Sequence, residues 1–217
     1  MNTLVINGSP KGRDGNTDIF IAQFFLGAGK DYEVRYAACE EPRELAAYLY
    51  GFDAVLFFMP MYVFAMPGIV MRLFENMKPR AGQRLGFVLQ YGFVEGNQAD
   101  YAKRVFEAFT ARMRGVYLGT ASRGNAAGVS MMPARMSKPL FSLLRALGAH
   151  YETTGTFDAA VAAKLLEPYA FTKRRARWMD FLFRIGLEKI MWHFMLRSNN
   201  ALDKVLDRPF AEGEGSL

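Results

Sequence analysis

Near its start the chain runs from an apolar triplet, Leu4-Val5-Ile6, into Asn7-Gly8-Ser9-Pro10-Lys11-Gly12-Arg13-Asp14-Gly15-Asn16-Thr17, and a helically patterned segment follows at once. Strand, small-residue loop and helix start in that order define a βα unit whose turn is built to approach a ligand. Gly8, Gly12 and Gly15 let the backbone fold back and bring its N–H groups close, while Ser9, Asn16 and Thr17 add short side-chain donors. The unpaired N–H groups of the first helical turn and the positive end of the helix dipole favour an anion, and Lys11 and Arg13 reinforce that sign. A phosphate suits such a loop. A Walker loop would need Gly-Lys followed by Ser or Thr, whereas Gly15 is followed by Asn16-Thr17. The dinucleotide fingerprint needs Gly-x-Gly-x-x-Gly, which glycines at 8, 12 and 15 do not give. The bland alternative is a surface βα loop of ordinary turn residues.

Downstream, apolar runs of strand length alternate with segments of helical period. Ile19–Leu26 carries a helical stripe that ends at Gly27 and Gly29, and a short strand is expected at Tyr32–Ala37. A helix is read at Glu44–Gly51. Ala54–Met59 is continuously apolar, as a strand covered on both faces is, and Pro60 stops it. Pro67–Met77 reads as a helix with proline at its first position, Leu85–Leu89 as a buried strand, Ala99–Arg112 as a helix and Val116–Thr120 as a strand. Ser137–Leu147 is the next helix, and Tyr151–Phe157 a further strand or extended connection. Parallel strands need long crossovers, and right-handed crossovers place helices on both faces, so the expected class is α/β with a doubly wound parallel five-stranded sheet. Ligands bind beyond the carboxyl ends of such strands where strand order reverses, which points to loops 8–17, 60–66 and 90–97.

Composition narrows the chemistry. With 217 residues, 51% hydrophobic and 22% charged, the chain can bury a sizeable core. A net charge of +6 attracts anionic ligands or surfaces without singling out nucleic acid, which is not an expected partner. The single Cys39 rules out an internal disulfide or a multi-cysteine metal site within one subunit, and His150 and His193 stand far apart, so no metal is expected. No secretory signal is visible, which implies a cytoplasmic location. The most apolar long stretch, Trp178–Leu196, is interrupted by Asp180, Arg184, Glu188, Lys189 and His193 and is not expected to span a bilayer.

The quoted first loop, together with Pro60-Met61-Tyr62 and Met66-Pro67-Gly68, resembles the flavodoxin-like NAD(P)H-dependent FMN oxidoreductases, the FMN reductases and quinone reductases, over roughly residues 1–120. The resemblance implies a flavodoxin-like domain at 1–169. It implies that the FMN phosphate sits on Ser9, Asn16 and Thr17 with backbone donors of the loop that includes Lys11 and Gly15, and that Pro60, Met61, Tyr62 and Val63 line the flavin ring. Tyr91 and Gly92 would form a third contact. The implied activity is hydride transfer from NAD(P)H through flavin to a quinone or other small-molecule acceptor, with no side-chain catalyst. A flat, mostly apolar ring asks for an aromatic and apolar wall with backbone groups at its polar edge, which these segments offer. For Tyr62 and Tyr91 the plain alternative is an aromatic packed on the sheet. Two other functions stay open, a flavodoxin-type electron carrier for a protein partner and a flavin-free binding relative.

Residues 170–217 exceed what a five-stranded sheet requires and read as a helical C-terminal extension. At 3.6 residues per turn, Arg177, Asp180, Arg184 and Glu188 form a polar stripe, while Trp178, Phe181, Leu182, Ile185, Met191 and Trp192 spread over a wide apolar arc. An arc so broad is expected to be covered by its own domain, by a homodimer contact or as a lid over the flavin, or by peripheral contact with a membrane surface.

Overall fold

In the computed structural model, residues 1–132 and 134–207 are described, together with the backbone but not the side chains of Ala134, Leu187, Glu188 and Met191. The chain divides into two compact units, Met1–Ala170 and Phe171–Leu217.

The first unit alternates strands and helices: β1 (Thr3–Asn7), α1 (Asn16–Ala28), β2 (Glu33–Tyr36), α2 (Pro42–Leu49), β3 (Ala54–Pro60), α3 (Gly68–Asn76), β4 (Arg84–Gln90), α4 (Asp100–Arg112), β5 (Val116–Arg123), α5 (Ala134–Thr154) and α6 (Ala159–Leu165). The strands pair in the order β2-β1-β3-β4-β5, every pair parallel. Strand periodicity then sorts the core into two layers. Leu4, Ile6, Val55, Phe57, Met59, Leu85, Phe87 and Leu89 face one way, against α2, α3 and α4. Val5, Leu56, Phe58 and Val88 face the other, against α1 and α5. All seven residues of β3 are buried, as its unbroken apolar run requires of a strand covered on both sides. Rings reinforce the first layer, with Phe57 stacked on Phe87 at 5.5 Å between centroids and Phe87 on Phe106 at 4.3 Å.

Two expectations are corrected, and one helix is added. Tyr151–Phe157 is not a strand, because α5 runs on to Thr154. Its aromatic and β-branched composition suggests extended chain, yet Leu140, Leu144, Leu147 and Tyr151 form one helical stripe, and the Tyr151 hydroxyl shares a 2.8 Å hydrogen bond with Thr3 Oγ1. Helix α6 was not anticipated; its signal was Asp158, whose carboxylate accepts from the N–H groups of Ala160 and Val161 as an N-cap. Pro67 caps α3 rather than occupying its first turn.

The second unit holds two helices where one was expected, α7 (Lys173–Arg184) and α8 (Leu187–Ser198). They are separated at Gly186, whose left-handed φ of 80° no continuous helix contains. Thr172 caps α7 by accepting from Arg175 N–H. Within the second unit the apolar arc stays exposed, since α7 contains no buried residue. The side chains of Glu188 and Met191, placed in that pattern from sequence, lie outside the described residues.

Candidate functional site

Parallel pairing levels the carboxyl ends of β1, β3, β4 and β5, with Asn7 opposite Phe58, Pro60 opposite Gln90 and Gln90 opposite Arg123. The loops that leave these ends enclose a cleft of about 290 Å3 lined by Ser9, Lys11, Gly15, Asn16, Pro60, Met61, Tyr62, Gln90, Tyr91, Gly92, Ala126 and Ala127. This volume lies at the lower end of the range for small-molecule sites. Nine of the eleven residues singled out from sequence line it. Thr17 lies just behind the wall, 1% exposed, and Val63 projects away into solvent, 83% exposed.

The first loop is held from beneath. Asn7 accepts from Ser9 N–H through Oδ1 and donates to Asp18, whose other carboxylate oxygen accepts from Gly15 N–H. Gly8 continues the ladder by donating to the Phe58 carbonyl. A Cβ there would stand 2.6 Å from Val70, so only glycine lets the loop leave the sheet at this height. With the loop fixed, the main-chain N–H groups of Asn16 and Thr17 in the first turn of α1 meet no acceptor among the described residues. That pair is the donor set an anion would use. The Thr17 hydroxyl accepts from the Gln90 amide at 2.6 Å and keeps its own proton to donate. The Asn16 side chain is committed elsewhere, donating to the Ala126 and Ala127 carbonyls and accepting from Ser130 N–H. Its offer to an anion is therefore its backbone N–H, not the side chain. The two basic residues are also engaged: Lys11 Nζ donates to the Asp14 carbonyl, and the Arg13 guanidinium lies 4.3 Å above the Tyr36 ring.

The wall after β3 is a tight turn. Tyr62 and Ala65 exchange backbone hydrogen bonds at 2.9 and 3.0 Å, with Val63 at φ 47° and Phe64 at φ 66° between them. Two non-glycine residues in the left-handed region, one of them β-branched, are costly. The turn leaves Tyr62 half-exposed at the cleft while Pro60 and Met61 are buried beneath it. Tyr91 is buried beside them and donates to the Glu95 and Gly96 carbonyls, and that burial pushes its phenol up to about 12.

Sequence reasoning singled out none of Gln90, Ala126 and Ala127, although Gln90 opens the expected 90–97 loop. The last two enter because the loop after β5 zips onto the loop after β4: Asn125 N–H donates to Phe93 and Ala126 N–H to Tyr91. Gly124 permits the approach, since a Cβ there would fall 2.3 Å from the Phe93 carbonyl oxygen. Gln90, the last residue of β4, is a polar side chain in a run of apolar ones, a signal that was legible. Among the described residues no cluster of His, Cys, Asp or Glu could hold a metal ion.

No protein-family model and no curated protein matches the chain. Solved structures do. An NADPH-quinone reductase from P. pentosaceus is matched at a TM-score of 0.54 and 18% identity, over 71% of this chain and 99% of that one. An FMN-dependent NADH-azoreductase from Bacillus anthracis, solved with FMN, is matched at 0.55 and 11% identity, over 69% and 99%. A flavone reductase is matched at 0.55 and 14% identity, over 79% of this chain and 66% of that one. This chain has a flavodoxin-like fold. In the flavodoxin-like order 2-1-3-4-5, strand order reverses between β1 and β3. There the Ser9 loop and the Pro60 loop leave adjacent strands and together line the cleft.

Proposed function

We propose that this chain is an FMN-dependent oxidoreductase that takes hydride from NADH or NADPH and reduces a quinone or another small acceptor. The observation that carries the reading is that a single cleft at the switch point combines two unpaired first-turn N–H groups, those of Asn16 and Thr17, with an apolar and aromatic wall of Pro60, Met61 and Tyr62. One part suits a terminal phosphate and the other a flat ring. Two of the solved structures it resembles are named as an NADPH-quinone reductase and an FMN-dependent NADH-azoreductase, which supports the same reading.

Bound FMN would supply the redox chemistry, so this chain's residues have to bind, orient and shield. The backbone donors of Asn16 and Thr17, with the hydroxyls of Ser9 and Thr17, would hold the phosphate. Gln90 orients the Thr17 hydroxyl from below. Buried Pro60, Met61 and Tyr91 would keep water from the inner side of the ring, while Tyr62 and Gly92 would border the opening through which both substrates come and go.

Purified or reconstituted protein should show flavin absorbance and release FMN, not FAD, on extraction. NAD(P)H should bleach the bound flavin, and a quinone should reoxidise it. If one opening serves both substrates in turn, double-reciprocal plots at several acceptor concentrations should be parallel. Thr17→Ala removes a hydrogen bond to a charged group, worth roughly 1.5–3 kcal/mol, and should weaken FMN on the order of tenfold or more. Failure to take up any flavin would overturn the reading. Reduction by NAD(P)H without passage to any small acceptor would favour an electron carrier instead.

A further inference from the structure

The second unit presents apolar side chains that its own described residues leave exposed. In α7 and its C-cap residue, Trp178, Phe181 and Ile185 recur at i, i+3 and i+7 on one face, 58%, 50% and 61% exposed, with the Trp178 and Phe181 rings stacked 5.6 Å apart. In α8, Ile190 and Phe194 share a face, and Trp192 is 56% exposed. Each helix is amphipathic. Lys173, Arg177, Asp180 and Arg184 form the polar stripe of α7, while Lys189, His193 and Arg197 form a basic stripe on α8. At twelve residues each, roughly 18 Å at 1.5 Å per residue, neither helix can cross a bilayer.

Charge decides what fits this surface. Residues 171–207 contain eight Lys and Arg against four Asp and Glu. Arg174, Arg175 and Arg177 gather with Trp178 around one shallow concavity at the start of α7. A second copy meeting this surface about a two-fold axis would bring one net-positive surface against another. An anionic lipid surface complements both properties, because its headgroups attract Lys and Arg while Trp, Phe and Ile settle at the boundary of the acyl chains. We propose that α7 and α8 are an interfacial anchor that lays this protein on an anionic membrane surface, with Trp178, Phe181, Ile185 and Phe194 inserted and Arg174 and Arg175 on the headgroups. This assignment does not rest on the flavin reading.

The chain's two tryptophans, Trp178 and Trp192, both lie in this unit, so intrinsic tryptophan emission reports on it alone. The full-length protein should co-sediment at low salt with vesicles made of equal parts phosphatidylcholine and phosphatidylserine, with its emission shifting to the blue. Binding should fall with added salt and vanish on pure phosphatidylcholine. Replacing Arg174→Gln and Arg175→Gln together should weaken it by roughly twenty-five-fold, about fivefold for each arginine. Trp178→Ser with Phe181→Ser, both at exposed positions, should abolish it while leaving the protein's melting temperature in place. The proposal is overturned if the mixed vesicles do not bind, if neutral vesicles bind equally well, or if the serine pair binds as the parent does. It is equally overturned if the parent is a dimer with blue-shifted emission in the absence of lipid that the serine pair converts to monomer, which would give this face to a second copy.

Discussion

Tyr91 shows how one buried side chain makes the cleft sensitive to pH. Its phenol is buried and donates to the backbone carbonyls of Glu95 and Gly96, and burial favours the neutral form strongly enough, against the opposing pull of Ser122 and Arg123, to raise its pKa from 10 to about 12. In the unfolded chain the same phenol ionises near 10. Between those values the folded state holds a proton that the unfolded state has lost, so stability is fully present below pH 10 and declines as pH rises toward 12. Tyr117 and Tyr151 are raised by burial too and act in the same direction. Tyr91→Phe should therefore flatten the alkaline fall in stability, at a cost of about 0.5–1.5 kcal/mol near neutral pH for the lost hydrogen bonds. Denaturant midpoints of the parent and variant across the alkaline range check this, and two parallel profiles would show that Tyr91 ionises as freely as a surface tyrosine.

At the scale of elements, the pairing of α1 with α5 sets the position of the first turn of α1 at the cleft. The helices cross with backbones nearly touching. A Cβ on Gly27 would stand 1.9 Å from the Arg145 carbonyl oxygen, and one on Gly148 2.0 Å from that of Phe24. Such an approach seats Phe24 against Tyr151, Phe58 and Phe157. Gly27→Ala should push the helices apart at a cost of about 1–3 kcal/mol, lowering the melting temperature by several degrees. It should also weaken FMN, because the N-terminus of α1 shifts with the helix. Leu26→Ala, at an exposed position next to it, is the control and should change stability by no more than about 0.5 kcal/mol. If both variants melt like the parent, the close crossing does not hold α1 in place.

For the molecule as a whole, every residue that lines the cleft and both core layers of the sheet belong to the first unit. A chain ending at Ala170 should therefore keep a cooperative transition and bind FMN within about threefold of the parent, a change under 1 kcal/mol, while losing the vesicle binding argued for α7 and α8. Calorimetry and flavin titration of the shortened protein test this. Collapse of the transition would show that the second unit completes the core of the first.

The sequence by itself determined the alternation of strands and helices from β1 to β5, the parallel sheet and most of the residues that line the cleft. Those properties are written in local periodicity and turn chemistry: β3 is apolar at every position because both its faces are covered, Gly12 marks where the loop turns through left-handed backbone, and Gly8 marks where it passes close to Val70. It did not determine how far α5 extends, which depends on Tyr151 meeting Thr3, 148 residues away. Nor did it bring Ala126 and Ala127 to the cleft or set Gln90 beneath Thr17, contacts that span 110, 111 and 73 residues. The tail divides the same way. Its amphipathic pattern was legible, but the break at Gly186 and the exposure of Trp178 and Phe181 emerge only in the structure. Periodicity reports how neighbouring residues sort between water and an apolar phase, whereas a contact between distant residues exists only once the backbone has brought them together.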